Sequence, residues 1–104
     1  MYIGHIMYDT ELFDSNNMIY IYGAGMYGKK IFSFLEQNQL LNNFKGFIDA
    51  NSSYEKMLEY PVYRVEEACK DKPNAIFLIA GKYIQEMYRE LKYQNVKNIH
   101  FILF

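Results

Sequence analysis

Three glycines before a helical pattern have the spacing that nucleotide phosphates require. Gly23, Gly25 and Gly28 form a G-x-G-x-x-G motif directly after an apolar run that begins at Met18. In such a motif the first glycine permits a sharp turn, the second admits a phosphate close to the main chain, and the third lets helix and strand pack tightly. The helix dipole and the N–H groups of the first helical turn favour an anion there. The motif therefore predicts a nucleotide-binding site that needs no catalytic side chain.

An acid downstream of the motif favours the same interpretation. Asp49 ends a second apolar run and lies 24 positions after Gly25, near the distance at which an acid receives ribose hydroxyls. Its carboxylate would repel a 2′-phosphate, which argues against the phosphorylated nicotinamide cofactor. The alternatives are a glycine turn without a ligand and a solvated aspartate that makes a local turn at the end of a strand.

The segments around the motif predict alternating strands and helices. Apolar, β-branched and aromatic runs predict strands over 18–22, 44–49, 61–63, 75–80 and 99–104. Helical spacing of apolar residues predicts helices that begin near 26, 65 and 84. This order is that of an α/β, Rossmann-like, doubly wound domain, with a mainly parallel sheet of about five strands in three α/β/α layers. Residues 1–17 are expected to form an N-terminal arm and 18–104 the nucleotide-binding domain.

The fold predicts which residues meet at the site. In such a sheet a ligand binds beyond the carboxyl ends of the strands, at the point where the winding reverses. That point lies between the first strand and the strand at 75–80, so two glycine turns form its walls. The expected ligand-binding residues are Gly23, Ala24, Gly25, Met26, Tyr27, Gly28, Asp49, Ala80, Gly81 and Lys82.

Composition describes one ordinary globular domain. The chain has 104 residues, of which 51% are hydrophobic and 22% are charged. A formal net charge of −1 supplies no excess positive field for a nucleic acid or an anionic membrane, so neither is expected as a partner. The single Cys69 cannot form an internal disulfide, which favours a reducing, cytoplasmic location. No run approaches the roughly 20 apolar residues that span a bilayer.

Residues with catalytic or metal-binding potential are sparse. His5 and His100 have no Ser, Cys or acid partner at an informative spacing. Cys69 is expected to pack as a small apolar group. No Cys/His cluster has the spacing of a zinc site. No catalytic or metal-binding residue is therefore predicted, and any chemistry is expected to depend on a partner domain or subunit.

Three segments resemble one family of small Rossmann-like domains. They are 19–30, 46–49 and 60–63, with the sequences IYIYGAGMYGKK, GFID and YPVY. Together they are similar to the N-terminal domain of bacterial hexapeptide-repeat sugar acetyltransferases and to related polysaccharide-biosynthesis modules, over nearly all of 18–104. The resemblance implies a non-catalytic module that binds a nucleotide or nucleotide-sugar in capsule, lipopolysaccharide or glycoprotein biosynthesis. It also implies that the glycine loop faces the diphosphate or ribose and that Asp49 faces hydroxyls.

Two other functions are compatible with the same residues. The glycine turn also serves dinucleotides, so the chain can be an NAD-binding fragment or subunit of an oxidoreductase. Alternatively, it is an assembly module with a vestigial site, in which Tyr and Phe surfaces and the arm at 1–17 drive homo-oligomerisation.

Overall fold

The computed structural model describes residues 17–49 and 56–102. Its strands are β1 (Met18–Tyr22), β2 (Phe44–Ile48), β3 (Lys56–Met57), β4 (Tyr60–Tyr63), β5 (Ala75–Ile79) and β6 (Ile99–Phe101). Its helices are α1 (Met26–Gln37), α2 (Val65–Ala68), a 3-10 helix (Cys69–Asn74) and α3 (Ile84–Tyr93). The expected N-terminal arm lies outside these residues, apart from Asn17.

One six-stranded sheet organises the molecule, in the order β3-β4-β2-β1-β5-β6. All neighbouring strands are parallel except β3 and β4. The central strands pair in register from Met18 opposite Ala75 to Tyr22 opposite Ile79. From β1 the chain winds outward through β2 to β4, and then returns to β5 on the other side of β1. The prediction of a Rossmann-like, mainly parallel α/β fold is confirmed.

Helices cover both faces of the sheet. Alternate side chains of β1 point to opposite sides, as the pleat requires. Ile19 and Ile21 pack with α1 in one core cluster, whereas Tyr20 and Tyr22 pack with α2 and with Leu91 of α3 in another. β5 is buried along its whole length, as expected for a parallel strand covered on both faces. This packing holds the carboxyl ends of β1 and β5 side by side.

A turn at Asn95 follows the last helix. Asn95 has a φ of +65°, the left-handed conformation that asparagine tolerates after a helix. Its N–H donates to the Lys92 carbonyl, and the Val96 N–H donates to the Leu91 carbonyl. Val96 is fully buried, so this turn directs the chain back toward β6.

Two local features differ from the predictions. The sequence Lys72-Pro73-Asn74 predicts the end of a helix, but Pro73 lies inside the 3-10 helix. Side chains hold this helix in place: the Tyr20 hydroxyl donates to the Asp71 carboxylate and the Lys72 ammonium donates to the Gln94 carbonyl. The second difference is β3, a strand that we did not predict.

Candidate functional site

The turn between β1 and α1 depends on two glycines with different roles. Gly23 has a φ of +113°, a conformation that side chains rarely allow, and its N–H donates to the Ile48 carbonyl at 2.8 Å. Gly28 is buried against this turn: a Cβ placed on it would lie 1.9 Å from the Gly23 carbonyl oxygen. Gly23 therefore makes the turn possible, and Gly28 lets the first helical turn of α1 approach it.

Gly25 lies between them and is exposed. A Cβ built on it would meet no atom within 4 Å, so the fold itself does not require a glycine there. Gly25 is also the N-cap of α1, where no side chain makes a capping hydrogen bond and the first turn contains no acid. A helix begins with N–H groups that have no acceptor within the helix. An anion beside Gly25 would be stabilised by about 0.3–1 kcal/mol.

One open cavity of about 750 Å³ lies at this edge of the sheet. All ten residues expected at the site line it: Gly23, Ala24, Gly25, Met26, Tyr27, Gly28, Asp49, Ala80, Gly81 and Lys82. The two glycine turns form neighbouring walls because β1 and β5 are adjacent and parallel. The structure thus brings the expected residues together, and their contact with a ligand remains a prediction.

Five further residues line the cavity; the sequence places Tyr83 in the second wall, directly after Lys82, but does not indicate the other four. They are Tyr22, Tyr83, Glu86, Met87 and Glu90. Met87 fits the apolar spacing of its helix, which by itself gives no sign that the residue reaches the site. A signal was nevertheless present: α3 starts just after the second glycine turn, so its first turns must lie at the same edge of the sheet. Glu86 and Glu90 are four positions apart and therefore share one helical face.

The charged side chains of the cavity are mostly acidic. Asp49, Glu86 and Glu90 carry carboxylates, and Lys82 carries the ammonium group among the lining residues. The main-chain N–H groups of the glycine turn and the Lys82 ammonium are thus the groups of the cavity that favour an anion, while the other charged lining residues are negative. The charges of the cavity therefore favour a ligand that has its anionic group at the glycine turn and neutral groups elsewhere.

Tyr27 lies between the two glycine turns. A Cβ on Gly81 would lie 3.4 Å from its ring, and the Lys30 ammonium lies 5.6 Å from the ring centroid. Lys30 does not line the cavity, so its cation–π contact places it on the outer face of α1. Tyr27 joins the walls of the site through its packing.

Two side chains with reactive groups, Cys69 and His100, lie outside the cavity. Burial raises the pKa of the Cys69 thiol to about 11, so the thiol stays protonated at neutral pH and packs in the core. Burial lowers the pKa of His100, which lies in the edge strand β6. Within residues 17–49 and 56–102, no group of three or more His, Cys, Asp or Glu side chains is arranged so that it could bind a metal ion. None of the helices described in those ranges combines the length and apolar character needed to cross a membrane.

Comparisons with known proteins establish the fold. No protein-family model and no curated protein matches the sequence. Among solved structures, the chain is similar to RSP, a Rex-family repressor, with a TM-score of 0.66 and 22% sequence identity. The alignment covers 88% of this chain and 47% of the repressor, so the chain spans about half of that protein's length.

The resemblance to the domains of sugar acetyltransferases is wrong, since the structural neighbour is a repressor and no family match supports a role in glycan biosynthesis. The segments that suggested it contain the glycine turn and the end of the neighbouring strand. Rossmann-like domains with unrelated functions share these features, because they build the fold and the phosphate site rather than select a sugar. We expected that nucleic acid is not a partner. The structural neighbour, a repressor, does not support this expectation.

Proposed function

We propose that this domain binds a dinucleotide of the NAD class and acts as a binding module rather than as a complete enzyme. The observation that carries the proposal is one cavity lined by the glycine turn at 23–28, Asp49 and the second glycine turn at 80–82. Rossmann-like domains bind dinucleotides across this crevice, with the diphosphate at the helix N-terminus. The glycine motif, the acid and the reversal of the strand order all support the same position for the ligand.

The size of the cavity supports a ligand of this class. Its volume of about 750 Å³ lies within the range of roughly 300–1,000 Å³ typical of small-molecule sites. In the proposed complex the diphosphate lies beside the open Gly25, and a ribose lies beside Asp49. Tyr83, 65% exposed, borders the second wall and is available to contact a base or a sugar.

The charge of the cavity supports NAD rather than its 2′-phosphorylated form. Asp49 is suited to accept hydrogen bonds from ribose hydroxyls, whereas a 2′-phosphate would place two like charges together. Glu86 and Glu90 add to this repulsion from the α3 wall. We therefore expect NAD⁺ to bind more tightly than NADP⁺.

The role of the module is to report or present the dinucleotide to another domain or subunit. The similar solved structure is a repressor, so a domain of this fold occurs in a regulatory protein about twice as long as this chain. The same site would serve an NAD-binding subunit of an oxidoreductase. In both cases the group that responds to the dinucleotide lies on another part of the assembly.

A thermal-shift panel tests the proposal. The ligands are NAD⁺, NADH, NADP⁺, ATP, S-adenosylmethionine and uridine and guanosine sugar nucleotides. A ligand at one hundred times its dissociation constant stabilises a protein by about 2.7 kcal/mol. For a domain of this size, that corresponds to a rise in Tm of roughly 10 °C or more.

We expect NAD⁺ or NADH to raise the Tm most, with a smaller effect of NADP⁺ at the same concentration. A shift produced by the sugar nucleotides or S-adenosylmethionine, and not by NAD⁺ or NADH, would contradict the proposal. If no nucleotide changes the Tm, the site is vestigial and the assembly interpretation gains support.

A further inference from the structure

Tyr22 is a polar residue in an unusual place. It ends β1 immediately before Gly23 and is only 7% exposed, so more than nine-tenths of its surface is buried. Its ring packs in the core cluster on the α3 side of the sheet, yet the residue also lines the cavity. A phenol thus lies at the boundary between the core and the candidate site.

The Tyr22 hydroxyl makes no hydrogen bond within residues 17–49 and 56–102. Tyr20, two positions earlier on the same face, contrasts with it, because the Tyr20 hydroxyl donates to Asp71. In the same ranges, no fully buried side-chain oxygen lacks a partner. The Tyr22 oxygen must therefore keep some accessible surface, and the cavity is the open space that this residue borders. A buried side chain that lines the cavity thus carries a hydroxyl with no partner in the described part of the protein, and this hydroxyl is available to a ligand.

The surroundings of this hydroxyl keep it protonated. Burial, followed by repulsion from Glu90 and Asp49, raises the pKa of Tyr22 to about 12. Tyr22 is therefore a hydrogen-bond donor at every physiological pH. The carboxylates of Asp49 and Glu90, which line the same cavity, are hydrogen-bond acceptors. This set of one donor and two acceptors complements a sugar hydroxyl, whose oxygen accepts one hydrogen bond while its proton is donated in another.

We propose that Tyr22 determines specificity in this pocket by donating a hydrogen bond to a neutral hydroxyl oxygen of the ligand, while Asp49 and Glu90 exclude a further anionic group from the same place. The inference rests on the proposed dinucleotide function and assigns a contact that the glycine motif does not contain. If this contact forms, the pocket selects a ligand with a free sugar hydroxyl over one whose sugar is phosphorylated at that place.

The test compares three variants with the wild-type chain by calorimetric titration with NAD⁺ and NADP⁺. Tyr22→Phe removes only the hydroxyl, which bonds to nothing in the described part of the protein, so the Tm without ligand should stay the same. We expect its affinity for NAD⁺ to fall about three- to tenfold, the range of a single neutral hydrogen bond. Glu90→Gln should lower the ratio of the affinity for NAD⁺ to the affinity for NADP⁺ at least threefold. Tyr93→Phe, at a residue that is 82% exposed and outside the cavity, is the matched control and should bind as wild type.

The outcomes separate this inference from the proposed function. If the wild-type chain binds no NAD⁺, the proposed function fails and this inference fails with it. If the wild-type chain binds NAD⁺ and folded Tyr22→Phe binds it within twofold as well, the Tyr22 contact alone is overturned. Should Tyr22→Phe not fold, Glu90→Gln tests the part of the inference that concerns charge: an unchanged ratio between the affinities for NAD⁺ and NADP⁺ overturns that part, and a narrowed ratio supports it.

Discussion

Gly25 and Gly28 belong to one motif but are constrained by different neighbours. A side chain at Gly28 would collide with the main chain of the turn, whereas a side chain at Gly25 would extend into open space. The fold therefore accounts for Gly28 but not for Gly25. Because the fold does not require a glycine at position 25, a substitution there can affect ligand binding without a large loss of stability.

Gly25→Val should abolish dinucleotide binding in a protein that stays folded. Its backbone has a φ of −95° and a ψ of −152°, an extended conformation with a negative φ, so the position does not depend on the left-handed region that favours glycine. Because valine is a poorer N-cap than glycine, we expect a loss in the free energy of unfolding of about 1 kcal/mol or less. The added methyl groups would occupy the position of the phosphate. Thermal shift with NAD⁺ and urea denaturation measure the two effects.

Gly28→Ala is the control for this experiment. The new methyl would lie 1.9 Å from the Gly23 carbonyl oxygen, so α1 has to move away from the turn. We expect destabilisation of about 3 kcal/mol, at the upper end of what overpacking costs. Binding retained in a folded Gly25→Val variant would mean that the phosphate does not lie at this turn.

At the scale of elements, the hairpin at the edge of the sheet contains strained residues. Leu58 and Glu59 join β3 to β4 with φ values of +51° and +72°, the geometry of a type I′ turn. Side chains in this conformation cost roughly 1–2 kcal/mol per residue, and asparagine followed by glycine is the preferred pair. The strain explains why β3 was missed, since the sequence of this turn contains no signal for a hairpin.

The double substitution Leu58→Asn with Glu59→Gly should stabilise the protein. We expect a gain of about 1–2 kcal/mol, or roughly 5–10 °C in Tm, without a change in ligand affinity, because neither residue lines the cavity. Calorimetry or urea denaturation measures the gain. Glu59→Ala keeps a Cβ in the strained position and should show none. A double variant no more stable than the wild type would contradict the strained geometry of this turn.

At the scale of the whole molecule, two tyrosine hydroxyls and one cysteine thiol are buried on one side of the sheet, and they predict that the protein loses stability at alkaline pH. Burial raises the pKa of Tyr22 to about 12 and that of Cys69 to about 11, and burial together with Asp71 raises that of Tyr20. Unfolded chains ionise such groups near their ordinary pKa values of about 9 to 10, before the folded protein does. Stability should therefore be complete near neutral pH and fall as the pH rises from about 9 to 12.

Urea midpoints measured at pH 7, 9, 10 and 11 test this prediction. Tyr20→Phe removes one of the three groups and should give a shallower decline, although it also removes the hydrogen bond to Asp71. The exposed Tyr93→Phe should leave the decline unchanged. Equal midpoints at pH 7 and pH 11 would show that these groups are not held protonated by the fold.

The sequence by itself determined the order of strands and helices, the α/β class and the position of the glycine turn. These follow from local physics: apolar runs without breaks make buried strands, and glycine permits a φ such as that of Gly23. The right-handed winding of such units then places Asp49 and Gly81 at the same edge. All ten residues expected at the site therefore line the cavity.

Only the tertiary structure decided which other side chains reach that edge. The last residue of β1 and the first turns of α3 enter the cavity because β1 and β5, far apart in the chain, lie in register side by side. That pairing buries the ring of Tyr22 at the edge of the cavity, and the packing of α3 brings Glu90 to the same cavity. Local sequence cannot specify such contacts, since they depend on the distance and rotation between elements that the packing of both faces of the sheet fixes.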